Sequence, residues 1–222
     1  MGIDIDIDID KATGGATVLK QERALHTRHA LVRSAAEVFE RHGYVRAKLT
    51  EISAGAGVSP GALHFHFENK AAVAATVQAV AAESLRRAAR TATRRPDLDP
   101  LRRLTDASYA LAERLRQDVV ARAGSRLSGD EACRTEVDLG AEWRACVHGL
   151  LTEAAARDLL AGGVSRADAT ASVVAATTGL EVLGRTDPEW LSPETLTRVW
   201  RVTLPRLAAP GALSRLPPGP GA

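Results

Sequence analysis

The sequence predicts an all-α protein, and three observations carry that prediction. Alanine and leucine fill most segments while aromatics make up only 4% of the 222 residues, a bias toward good helix formers. Apolar residues recur at helical spacing, as at Leu31, Ala35, Val38 and Phe39. No strand-length β-branched run competes with them.

The elements follow in chain order. Residues 1–19, MGIDIDIDIDKATGGATVL, alternate Ile with Asp and then pass into Thr, Gly and Ala. Alternation is a strand signal, but a lone short strand has nothing to pair with, so a flexible acidic arm is expected. A helix is expected over 22–42, stopped by Gly43. Two short helices, 49–56 and 59–65, flank a turn at Gly57-Val58. A long Ala-rich helix starts at Lys70 and breaks after Thr93 at TRRPDLDP. Further helices are expected at 101–117, 119–128, 139–161, 166–184 and 193–207, and the Pro/Gly-rich end is expected to be a disordered tail over 208–222. The organisation expected is an N-terminal three-helix unit over 20–70 and a larger helical domain over 71–207.

Composition narrows the function. Hydrophobic residues at 45% and charged residues at 25% are ordinary for a globular chain. A net charge of +2 does not by itself argue for nucleic acid, but its distribution is uneven. Residues 1–19 carry four Asp against one Lys, and residues 20–48 carry seven Lys/Arg against three Glu. A basic patch there is the electrostatic footprint a nucleic-acid binder uses. Cys133 and Cys146 form no CxxC pair and make no disulfide framework. The acidic N-terminus is not a signal peptide, and no run of about 18 apolar residues is present to span a membrane. A cytoplasmic protein without a membrane partner is expected.

The stretch LTEISAGAGVSPGALHF carries the strongest local signal. Leu49, Ile52 and Ala56 give the first short helix an inner face, and Val58 and Leu63 can pack the second against it. Gly57 supplies a permissive backbone for the turn and Gly55 allows a close approach. This is the pattern of a helix-turn-helix. The second helix then exposes Ser59, Pro60, Gly61, Ala62 and His64, small and polar groups suited to a major groove. Beyond it, Asn69 is a candidate N-cap, and Lys70 stands at a helix start with no balancing acid, a candidate phosphate site. A tolerated surface lysine is the alternative.

From Arg28 to Lys70, through FERHGYVRAKLTEISAGAGVSPGALHFHFENK, the chain resembles the N-terminal DNA-binding domain of TetR-family repressors. Phe39, Gly43-Tyr44, Ile52, Ala56-Gly57-Val58-Ser59, Gly61, Phe67 and Lys70 carry the resemblance. It implies that the helix after Val58 reads DNA, that Lys70 contacts phosphate and that Phe67 is a core anchor. Two departures stand out. His64 replaces a usual tyrosine that touches the DNA backbone, and Pro60 stands where relatives often have lysine, with Lys48 partly offsetting the loss. The DNA-contacting set expected is Lys48, Thr50, Ser59, Pro60, Gly61, Ala62, His64, Phe65 and Lys70.

The C-terminal region is similar to the γ-butyrolactone (autoregulator) receptor branch, through the Arg-Ala-Gly-x-Arg-Leu segment from Arg122 to Leu127 and the Glu142-Trp143 pair. That resemblance implies an apolar ligand pocket with Trp143 in its wall, a lone core tryptophan being the alternative. Ser128, Thr177 and Thr178 are candidate hydroxyl donors, and Tyr109 and Gln78 are expected to face the cavity. Residues 164–184 and 193–207 are expected to build a homodimer, with Trp200 in that interface or in the core. The arginines at 86, 87, 90, 94 and 95 are expected on a solvated face.

The function expected is a homodimeric repressor of a pseudo-palindromic DNA operator, released by a small γ-butyrolactone, furan or butenolide, with no cofactor. A pseudo-receptor answering to an antibiotic or a biosynthetic intermediate is the alternative. An enzyme is not expected. His64 and His66 on a helix point about 200° apart and cannot share a metal, and neither a HExxH, a P-loop nor a nucleophile elbow is present.

Overall fold

The computed structural model describes residues 9–133 and 135–213, with side chains from residue 21 onward. Its helices are α1 (Ile9–Arg46), α2 (Leu49–Gly55), α3 (Pro60–His66), α4 (Lys70–Thr93), α5 (Pro100–Gln117), α6 (Val119–Ser128), α7 (Leu139–Ala156), α8 (Arg166–Gly184), α9 (Pro193–Leu207) and α10 (Pro210–Leu213). A 3₁₀ turn at Pro188–Leu191 precedes α9. The all-α class is as expected, and among the described residues the only β-pairing is an isolated bridge between Leu160 and Ala208.

Three boundaries differ from the sequence expectation. α1 begins at Ile9 rather than 22, because lengthening a packed helix is far easier than nucleating a new one. Residues 1–8 lie outside the described residues, so the expected arm is seen only as the helical backbone of its second half. Gly43, at φ 70° and ψ 172°, interrupts the helix where a stop was expected, and residues 44–46 form a last separate turn. α7 ends at Ala156, not 161, since Asp158 turns the chain with φ 54°.

The tail also differs. Residues 208–213 are ordered: Ala208 and Ala212 are buried, and the Ala209 N–H donates to Leu159 O at 2.8 Å while Ala161 N–H donates to Leu207 O at 2.8 Å. Two small apolar side chains and a short ladder hold this segment against residues 159–161. Residues 214–222 lie outside the described residues.

Two hydrophobic cores share their walls. The first joins α1, α2 and α3 to the front of α4 and to α6, around Leu31, Phe39, Ile52, Leu63, Phe67 and Val77. The second joins α5, α7, α8 and α9 around Leu104, Val147, Leu151, Val173, Trp200 and Leu204. Each such side chain contributes about 1.5–3 kcal/mol on burial. α4 belongs to both, through Val73 and Val77 to the first and Leu85 to the second. α6 does the same, with Ala123 and Leu127 on one side and Ala121 on the other. Trp200 is settled as a core residue: it is buried, and its indole N–H donates to Ser108 Oγ at 2.8 Å.

Candidate functional site

The first site is built by α2 and α3. Gly57, at φ 68°, makes the turn between them, a conformation in which a side chain would be strained. Gly55 lets α2 lie on α1: a Cβ there would stand 2.5 Å from Ser34 Oγ, whose hydroxyl donates to Ile52 O at 2.8 Å. Leu63 anchors the inner face of α3, and Phe67 closes its end as a buried ring under the Arg28 guanidinium, 5.4 Å from the centroid.

With that face fixed inward, the other faces solvent. Lys48, Thr50, Ser59, Pro60, Gly61, His64 and Phe65 are exposed, and Ala62 is half-buried. Ser59 also caps α3, its hydroxyl accepting the Ala62 N–H at 3.2 Å, and Pro60 fills the first helical position, where no N–H bond is lost. Phe65 is 81% exposed, its ring edge-on to His66 at 5.3 Å.

Lys70 is placed differently from the expected phosphate contact. Its Nζ donates to Val45 O at 3.0 Å and Ala47 O at 3.2 Å and stands 4.8 Å from the centre of the Tyr44 ring. The end of α1 at Arg46 leaves these carbonyls without helical partners, and the ammonium satisfies them. Two of its three donors are therefore turned into the α1–α2 junction. Asn69 caps α4 as expected, accepting the Ala72 N–H at 2.9 Å.

The second site is a cavity of about 450 Å³ bounded by α4, α5, α6, α7, α8 and the start of α9, with leucines 85, 111, 115, 139, 180 and 196 in its walls. Trp143, Ser128, Thr177 and Thr178 line it. The Trp143 indole N–H donates to Thr177 Oγ1 at 2.8 Å. Ser128 is engaged locally, donating to Val137 O at 3.0 Å and accepting the Leu139 N–H at 3.1 Å.

Two expected cavity residues lie elsewhere. Tyr109 turns toward α9 and shares a 2.8 Å hydrogen bond with Thr197 Oγ1. Gln78 sits at the crossing of α4 and α6, fully buried, its amide without a partner among the described residues.

Sequence reasoning missed the charged groups of the wall. Arg86 donates through Nε to Glu142 Oε2 at 2.7 Å and through Nη2 to Oε1, and the hydrogen bonds to Glu142 hold its guanidinium more firmly protonated than usual. Arg185 forks onto Glu181 with Nη2 to Oε1 at 2.9 Å. Arg87, Arg94 and Arg95 are exposed as expected, but Arg86 and Arg90 fall with Leu85, Ala89 and Thr93 at helical spacing along one stripe of α4, and that stripe is the cavity wall. Cys146 also lines the cavity, and burial pushes its thiol above the ordinary range.

Among the described residues, no group of three or more His, Cys, Asp or Glu is placed to hold a metal ion, and no described helix is long and apolar enough to cross a membrane.

Known proteins place this architecture. Residues 31–77 match the model for bacterial regulatory proteins of the tetR family. The A-factor receptor protein of Streptomyces griseus is 30% identical over 200 residues, covering 90% of this chain and 70% of the relative. A crystal structure of a gamma-butyrolactone receptor, described as ArpA like, superposes with a TM-score of 0.76 at 27% identity, covering 87% of this chain and 94% of the other. CprB from Streptomyces coelicolor, studied in complex with its biological operator sequence, gives a TM-score of 0.74 at 28% identity, with coverage of 87% and 94%. The matched proteins are transcriptional regulators rather than enzymes. The chain belongs to the tetR family of bacterial regulatory proteins, in the branch of the γ-butyrolactone autoregulator receptors.

Proposed function

We propose that this chain is a homodimeric repressor that holds a pseudo-palindromic operator and releases it when a small γ-butyrolactone, furan or butenolide enters the cavity. The observation that carries the reading is the double membership of α4 and α6, each packed into the core under the helix-turn-helix and into the wall of the 450 Å³ cavity. A ligand that moves these helices moves the surface that meets DNA, and differential affinity for two arrangements is what release requires.

In this reading residues 20–70 bind DNA and 71–207 bind ligand and partner. α3 enters the major groove with Pro60, Gly61, Ala62 and His64 toward the bases, while Lys48, Thr50, Ser59 and Phe65 meet the backbone. Lys70 acts indirectly, by fixing the start of α4 against the α1–α2 junction. Val182, Leu183, Trp190 and Val202, exposed along α8, the 3₁₀ turn and α9, supply an apolar face for the partner copy.

A mobility shift on the gene's own upstream DNA tests the reading. A shift at low salt that is reversed by alkylated γ-lactones supports it. Reversal by an antibiotic or its precursor, with no lactone effective, gives the pseudo-receptor instead, and absence of any shift rejects DNA binding.

A further inference from the structure

The polar chemistry of the cavity wall is closed on itself. Six charged side chains line it: Arg86, Arg90, Asp138, Glu142, Glu181 and Arg185. The Arg86 fork holds Glu142 through two N–H donors, and the Arg185 fork holds Glu181, whose Oε1 also accepts from Ser125 Oγ at 3.2 Å. Arg90 reaches out of the cavity to Glu83 at 3.0 Å. Asp138 caps α7, accepting the Ala141 N–H at 2.8 Å. Each arginine thus faces one of this chain's own carboxylates.

This arrangement decides what the cavity can accept. A carboxylate taken out of water needs a cation or several donors of its own. Here it would have to displace Glu142 or Glu181, or share a guanidinium with one of them and bring like charges together. An uncharged molecule meets no such obstacle. Its apolar body lies against the leucine walls, and a hydroxyl on it can donate to Thr177 Oγ1, whose own proton goes to Val173 O and which already accepts the Trp143 N–H.

On the reading that this cavity is the effector site, we propose that Glu142 is a specificity-determining residue that occupies the Arg86 fork and restricts the effector to uncharged lactone-like amphiphiles, excluding carboxylates. The ring-opened γ-hydroxy acid of any lactone effector then fails to act. Hydrolysis of the ring adds water across the acyl–oxygen bond and leaves a carboxylate and an alcohol, so the same carbon skeleton passes from accepted to rejected.

The test uses γ-lactones of graded alkyl chain length, each paired with its own base-hydrolysed hydroxy acid, titrated calorimetrically into the full chain. Wild-type protein is expected to bind a lactone up to about fivefold tighter than its hydroxy acid, the scale of one partly exposed ion pair. In E142Q, with Arg86 unpaired, that preference should shrink by up to about fivefold, toward parity. In the double variant R86Q/E142Q it should return, since the freed cation is gone. Helical circular dichroism and melting of each variant separate misfolding from altered recognition, and the double variant serves where E142Q does not fold, by predicting a retained lactone preference. Equal wild-type affinity for lactone and acid overturns the proposal, as does an unchanged preference in folded E142Q. Binding of neither compound by any variant overturns the effector-site reading itself, and this inference falls with it.

Discussion

The indole N–H of Trp143 donates to Thr177 Oγ1 at 2.8 Å, and that hydroxyl donates in turn to Val173 O at 2.8 Å. One hydroxyl therefore ties α7 to α8 across the cavity wall while bonding its own helix, the back-bonding to which helical threonines are prone. Thr177→Val keeps the shape but removes the acceptor, leaving a half-buried indole N–H without its partner. The expected loss is about 1 kcal/mol of stability, read by thermal or denaturant unfolding. Thr177→Ser, which keeps the oxygen, should recover most of it. A valine variant as stable as wild type would show that water replaces the bond at no cost.

Lys70 gives a prediction that separates holding a fold from touching DNA. Its ammonium bonds two carbonyls of the α1–α2 junction and lies over Tyr44. Lys70→Met keeps the apolar stem and removes these bonds, so the helix-turn-helix should lose about 1–3 kcal/mol. The slope of log affinity against log salt should stay as in wild type, because no phosphate partner is lost. A slope reduced by about 1 would mean that Nζ leaves the junction for a phosphate in the complex.

Those two residues also show how far the sequence reached. The helix-turn-helix was legible because its signals are local: Gly55 and Gly57 at a tight turn, Ile52 and Leu63 facing inward, Asn69 at a helix start. The exposure of Lys48, Pro60, His64 and Phe65 followed from knowing which side was inward. What Lys70 bonds was not legible, since it depends on carbonyls 23 and 25 residues away that the end of α1 at Arg46 leaves free. The cavity was half legible. Trp143, Ser128, Thr177 and Thr178 line it, yet Tyr109 and Gln78 do not, because helical periodicity says that a side chain points inward without saying which neighbours it meets there. The ordered segment 208–213 was missed for a related reason: its Pro and Gly residues signal a tail, while the groove that Ala208 and Ala212 fill is made by distant residues.

Gln78 carries a prediction of opposite sign. Its side chain is fully buried and neither amide atom has a partner among the described residues. A buried amide left unpaired costs about 1–3 kcal/mol, whereas a thioether of similar length fills the same space without that cost. Gln78→Met is therefore expected to stabilise the protein by about 1–2 kcal/mol, read as a higher denaturant midpoint with an unchanged slope. A less stable variant would place a buried water or an alternative partner on the amide.

The closest approach of α4 and α6 lies one turn further along α4. A Cβ added at Gly124 would stand 2.2 Å from the Ala81 Cβ and 3.3 Å from Val77 O. Both neighbours are fixed to the backbone, so no rotamer can move aside. Replacing a helical glycine by alanine ordinarily favours the helix by about 1 kcal/mol, but here the forced overlap is expected to cost about 1–3 kcal/mol and to dominate. Gly124→Ala should therefore destabilise, and adding Ala81→Gly should return much of the loss, since it removes the methyl that is struck. The double-mutant cycle measures that coupling directly. Because α4 and α6 both pass from the core under α3 to the cavity wall, pushing them apart shifts the two sites relative to each other. Gly124→Ala should then change the ligand concentration needed to release operator DNA by more than Thr177→Val does at equal loss of stability. Equal effects on release would mean that the crossing holds the fold without transmitting the ligand.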